Sequence, residues 1–143
     1  MADWREALIA QAIAARDAAY APYSGYRVGA ALRTADGRVF TGCNVENAAY
    51  SPSICAERVA VAKAVEAGAR QFVAVAVATA SDPPATPCGV CRQVLREFAT
   101  DLEILCVNPG GGRRDFRLAA LLPEGFSGDE LKAQGLRPDH GTK

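Results

Sequence analysis

Histidine is almost missing from this 143-residue chain: there is one, His140. It sits in a polar run, Arg137-Pro138-Asp139-His140-Gly141-Thr142-Lys143, of the kind that frays at chain ends and rarely carries chemistry. A single histidine excludes most Ser-His-Asp and Cys-His arrangements and any two-histidine metal site. Excess charge is missing too. Sixteen Lys and Arg are matched by sixteen Asp and Glu, so no long-range positive field gathers a polyanion, and nucleic acid is not an expected partner. No window of about 18 consecutive apolar residues exists to span a membrane. The opening Met1-Ala2-Asp3-Trp4-Arg5-Glu6 places acids where a signal peptide carries a basic and then an apolar stretch. The sequence therefore predicts a cytoplasmic protein without a membrane partner. No glycine-rich loop leads into a helix to cradle phosphate either, because Gly110-Gly111-Gly112 precedes a strand-like run. Repeats and linkers are absent.

What is present is half hydrophobic by composition, enough to close one core and too short for two ordinary domains. We expect one domain over residues 1–132, followed by a polar tail over 133–143. Asp3 with Glu6 resembles a capping box, and apolar residues recur at helical spacing until Pro22, predicting a helix over about 4–20. Two strand-like runs, 26–34 and 38–43, flank Ala35-Asp36-Gly37, a hairpin signal. A second helix is expected from near Cys55 to Ala67, closed by Gly68, and a strand buried on both faces over 72–78. Thr86-Pro87 suggests the cap and first position of a third helix near Cys88. Strands over 103–107 and 115–118 and a short helical turn over 118–122 complete the reading. Alternation of strands with helices predicts an α/β fold, a three-layer α-β-α sandwich with a mixed five-stranded sheet.

The cysteines carry the chemistry. They number five, an odd count, and Cys88 and Cys91 are only three apart, which suits a metal or redox site better than a secreted disulfide frame. Cys55 is expected at the start of one helix and Cys88 and Cys91 in the first turn of another. Helix N-termini favour thiolate over thiol, and three thiolates suit Zn²⁺ with a fourth position open for water. Cys-x-x-Cys alone fits a redox pair or half of a structural zinc site as well as it fits an open zinc site. Cys43, at a strand end, and Cys106, inside an apolar run, are expected to be structural.

The discriminating pattern is Cys55-Ala56-Glu57 followed, after 29 intervening residues, by Pro87-Cys88-Gly89-Val90-Cys91. With it the sequence resembles the cytidine deaminase family, a class whose signature the general chemistry of zinc deaminases describes. Pro22-Tyr23-Ser24, Val28-Gly29-Ala30-Ala31-Leu32, Gly42-Cys43-Asn44-Val45-Glu46-Asn47-Ala48, Cys55-Ala56-Glu57-Arg58, Cys91-Arg92-Gln93 and Leu121-Leu122-Pro123 are all similar to the free-nucleoside members. The likeness covers nearly all of residues 1–132.

The resemblance implies a homotetramer acting on a free pyrimidine nucleoside, with one zinc per chain on Cys55, Cys88 and Cys91. Zinc would supply hydroxide to C4 of the pyrimidine, and Glu57 would carry the protons. Three thiolates leave the complex anionic, so Arg58 is implied as the residue that hydrogen-bonds ligand sulfurs, with Arg92 and Gln93 as further candidates beside the zinc. Asn44 and Glu46 are implied as ribose ligands and Ala56 as a backbone donor to the base carbonyl. Tyr26 stands where relatives carry Phe against the nucleoside, and its hydroxyl needs a partner. Arg27 also departs from the small or apolar residue expected beside it. Tyr23, Ala48, Tyr50 and Phe126 are implied to complete a neighbouring subunit's pocket. Two alternatives stay open: a relative acting on another aminopyrimidine, and a structural zinc site in a binding module.

Overall fold

The computed structural model describes residues 3–133 and 135; His140 and nearly all of the expected tail lie outside the described residues. Helix α1 spans Trp4–Ala15 and passes into a 3-10 turn at Arg16–Ala18, so the predicted helix over 4–20 is shorter and tightens at its end. Asp3 caps it by accepting from Arg5 N–H. The other half of the expected capping box is not made, because the Glu6 carboxylate is drawn to Arg113 at 2.9 Å. There follow β1 (Gly29–Thr34), β2 (Val39–Cys43), α2 (Ala56–Glu66), β3 (Phe72–Ala78), α3 (Gly89–Arg96), β4 (Glu103–Val107), β5 (Arg113–Arg117), α4 (Leu118–Leu121) and α5 (Gly128–Ala133). Helix α5 was not foreseen.

The five strands form one sheet in the order β2-β1-β3-β4-β5. It is mixed: β3 and β4 are parallel, and the other pairs are antiparallel. The central strand β3 explains the layering. Val75 and Val77 point into a core shared with α2, α3 and α4, while Ala74, Ala76 and Ala78 point to the opposite face against α1. Each buried valine stabilises by about 1.5–3 kcal/mol relative to exposure, whereas the alanines let α1 lie close.

Two glycines set the position of α2. Gly42 on β2 touches the helix directly: a Cβ there would lie 2.3 Å from the Ala56 carbonyl oxygen and 2.7 Å from the Ala60 nitrogen. No other residue fits, and the N-terminus of α2 is thereby pressed against the end of β2. At the other end Gly68 takes φ +92°, a left-handed conformation that closes the helix at low cost. The strand predicted from Tyr26 begins only at Gly29. Before it, the Asn44 side chain stands in for a neighbouring strand, accepting from Val28 N–H at 2.9 Å and donating to the Tyr26 carbonyl at 2.8 Å.

Candidate metal centre and active site

The start of α2 and the start of α3 meet beyond the carboxyl end of β3, where ligand sites of open α/β sheets commonly lie. Cys55 is the N-cap of α2 and Cys88 the N-cap of α3, both with extended backbone, and Cys91 lies one turn into α3. The cap of α3 is thus Cys88 itself and not Thr86, whose hydroxyl instead accepts from Arg92 at 2.9 Å. Neither cysteine caps its helix with its side chain. Both sulfurs are left for another task.

The three Sγ atoms lie within 4.8 Å of one another, with Cys55 and Cys88 3.9 Å apart. Zn–S bonds of about 2.3 Å at tetrahedral angles require sulfurs about 3.8 Å apart. The donor set fits zinc: three soft sulfurs at two helix N-termini, with Cys55 and Cys88 at the wall of a cavity. Among the described residues this is the group that could hold a metal ion. Cys43 stands outside it, half-buried, and Cys106 is buried in the core, its thiol pushed up to about 12 by desolvation.

The electrostatics favour a thiolate at Cys55. Hydrogen bonding from the Cys91 thiol, followed by Arg58, holds Cys55 down to about 5, and the same bond with burial pushes Cys91 up. Arg58 Nη2 lies 3.6 Å from Cys55 Sγ, while its Nε is buried without a partner. Glu57, buried two residues on from Cys55, is raised to about 7 by desolvation, with the Cys55 charge acting in the same direction. A carboxyl near neutrality suits a group that must both take and give a proton.

Cys55, Glu57, Arg58 and Cys88 line a cavity of about 400 Å³ together with Ser24, Tyr26, Asn44, Glu46, Ala56, Thr79 and Thr86. That volume accommodates a small organic ligand. Glu46 accepts from the Tyr23 and Ser24 N–H groups at 3.0 and 3.1 Å and from the Ser24 hydroxyl, which keeps its carboxylate below the ordinary range. Ala56, first residue of α2, lines the cavity. Tyr26, Asn44, Glu46, Ala56, Glu57 and Arg58 thus line one cavity.

Others are not. Arg92 does not reach the sulfurs: its guanidinium donates to the Pro87 carbonyl at 2.8 Å, the Leu121 carbonyl at 3.0 Å and Thr86 Oγ1, pinning the loop before Cys88 to α4. Gln93 turns away as well, clamping the Phe126 backbone through both amide atoms at 2.7 and 3.1 Å. Tyr23, Ala48, Tyr50 and Phe126 lie outside the cavity and are exposed, Tyr50 in a left-handed turn at φ 62°. Arg27 donates to the Asp17 carbonyl at 3.2 Å and does not line the cavity. Sequence reasoning missed Ser24 and Thr79 as wall residues. The Pro22-Tyr23-Ser24 run was a signal for the first; nothing local marks the second.

Comparison with known proteins agrees with this geometry. Residues 2–106 match the family model for the cytidine and deoxycytidylate deaminase zinc-binding region. A cytidine deaminase of Sporosarcina psychrophila is 46% identical over 88% of this chain and 93% of its own, and one of Halalkalibacterium halodurans 43% over 89% and 97%. The crystal structure of cytidine deaminase from Burkholderia pseudomallei superposes with a TM-score of 0.81 at 50% identity, covering 85% of this chain and 98% of that one. With a zinc-ready triad of cysteines at the helix ends where the signature puts them, the chain belongs to the zinc-binding cytidine and deoxycytidylate deaminase family.

Proposed function

We propose that this protein hydrolyses the 4-amino group of free cytidine and 2′-deoxycytidine, giving uridine or 2′-deoxyuridine and ammonia, as a cytoplasmic step of pyrimidine salvage. The observation that carries the reading is the buried Glu57 carboxyl beside three converging thiols at the wall of a nucleoside-sized cavity. Cys55, Cys88 and Cys91 hold zinc, which when bound supplies the acidity that makes water nucleophilic near neutral pH. Glu57 takes the proton of the attacking water and passes it to N3 of the base as oxygen joins C4. A second proton, moved by the same carboxyl to the exocyclic nitrogen, lets the C4–N bond break and ammonia leave. Arg58 offsets the negative charge of the thiolates. The Ala56 N–H orients the base through its carbonyl, and Asn44 and Glu46 meet the ribose.

Residues 1–132 act as one catalytic domain within a homotetramer, in which Tyr23, Ala48, Tyr50 and Phe126 complete a neighbour's pocket. Their exposure in a single chain supports that role. The test is an absorbance assay of purified protein on cytidine, deoxycytidine, cytosine and CMP, beside Glu57→Gln. Both nucleosides should turn over and CMP poorly, while Glu57→Gln keeps zinc and loses about 10²–10⁴-fold in turnover. Near-native turnover by Glu57→Gln would show the mechanism to be wrong.

A further inference from the structure

One wall of the cavity is tied to the segment after β3 through Ser81, a residue to which no role has so far been given. The Tyr26 hydroxyl lies 2.6 Å from Ser81 Oγ, joining the segment before β1 to the segment after β3. Each partner is anchored independently of the other. Tyr26 N–H donates to Ser24 Oγ at 2.9 Å, the Tyr26 carbonyl accepts from Asn44 Nδ2 at 2.8 Å, and the Ser24 hydroxyl donates in turn to Glu46. On the other side Ser81 N–H donates to Thr79 Oγ1 at 3.3 Å and the Ser81 carbonyl accepts from Asn108 Nδ2 at 3.1 Å. Thr79 Oγ1 also accepts from Ala85 N–H at 3.4 Å. A continuous path of hydrogen bonds thus runs from Glu46 through Tyr26 to Thr79, both ends of it on the cavity wall.

Tyr26 is 40% exposed, so packing alone does not hold its ring. Its backbone is fixed, but the ring still has its side-chain torsions to settle, and the hydroxyl is the atom best placed to settle them. Ser81 does not line the cavity and is not placed to touch a ligand there. The geometry points to Ser81 as a positioning residue that, through the Tyr26 hydroxyl, fixes the aromatic wall of the nucleoside site and so sets affinity for the nucleoside. This rests on the nucleoside-deaminase reading above.

The experiment compares Tyr26→Phe, Ser81→Ala, the double variant and Ser81→Thr with the wild type, measuring KM and kcat for cytidine and the calorimetric Kd for uridine, which does not react. Each single loss should raise KM and Kd about three- to ten-fold, the scale of one hydrogen bond, while kcat stays within about two-fold. The double variant should be no worse than the more affected single, since both remove one interaction. Ser81→Thr, which keeps a hydroxyl, should recover most of the loss. Unchanged KM and Kd in both single variants, or effects that multiply in the double, overturn the proposal while leaving the deaminase reading intact. A wild type that neither turns over cytidine nor binds uridine overturns both.

Discussion

The two ends of the cavity are built on opposite terms. At the thiolate end, groups are left wanting: two helix N-termini without side-chain caps, an Arg58 Nε without a partner, and a Glu57 carboxyl lifted to about 7 by burial. At the loop end, every polar group named is already satisfied within the chain. Glu46 takes three hydrogen bonds, Asn44 uses its amide oxygen and nitrogen, and the Tyr26 hydroxyl has Ser81. Unsatisfied buried groups cost stability and persist where chemistry needs them, while a satisfied network holds a shape. In the function proposed above, the first end reacts and the second recognises.

The largest break in this contrast should come from Cys91→Ala. The change is nearly isosteric in a fully buried site, so folding should survive, but zinc should fall from about one per chain to a small fraction. Activity should fall to background with it. Metal analysis and the cytidine assay together check this; zinc retained at full stoichiometry would take Cys91 out of the cluster. A middle effect is expected from Arg58→Gln, which keeps hydrogen bonding but removes the positive charge 3.6 Å from Cys55 Sγ. The pH–rate profile should move to the alkaline side, and zinc affinity or activity should drop about 10–100-fold, the usual range for groups that support a metal ligand. An unmoved profile, recorded alongside chelator competition, removes the charge-compensation role. The smallest effect belongs to the loop end. Ser24→Ala deletes the largest influence holding the Glu46 carboxyl low, so Glu46 should take up a proton at higher pH than before. KM for cytidine should then begin to rise at a higher pH in the variant as the solution is acidified, with kcat little changed. Coincident KM profiles would mean that Glu46 does not meet the substrate in its charged form.

That contrast also separates what could be read from the chain and what could not. The reactive end is written in short-range spacing: Cys55-x-Glu57 and Cys88-x-x-Cys91 place their side chains within single helical turns, and the strands that bring the helices together announce themselves by apolar runs. The recognition end is written in long-range pairs. Glu46 meets Ser24, Tyr26 meets Ser81 and Asn108 meets Ser81, at separations of 22, 55 and 27 residues, and no periodicity marks such partners. Competition explains the other departures. Thr86 was a plausible cap by type, but Arg92 claims its hydroxyl; Glu6 was a plausible capping partner, but Arg113 claims its carboxylate. Tyr26 to Val28 had strand character, yet the Asn44 side chain took the place of a neighbouring strand. Helix α5 is too short, at six residues, to show an apolar stripe.

The placing of Cys55 and Cys88 on separate helices, 33 residues apart in the chain, has a consequence for the unfolded polymer. An ion gripping both sulfurs closes a ring around α2 and β3, and so acts as a reversible cross-link as well as a reagent. Closing a loop of that length restricts the disordered chain by about 3–4 kcal/mol on the scale set by disulfides, a sizeable share of a domain's net stability of about 5–15 kcal/mol. Chains that have lost their ion should therefore open more often and be cleared faster by proteolysis, so that metal supply governs how much protein persists as well as how much of it is active.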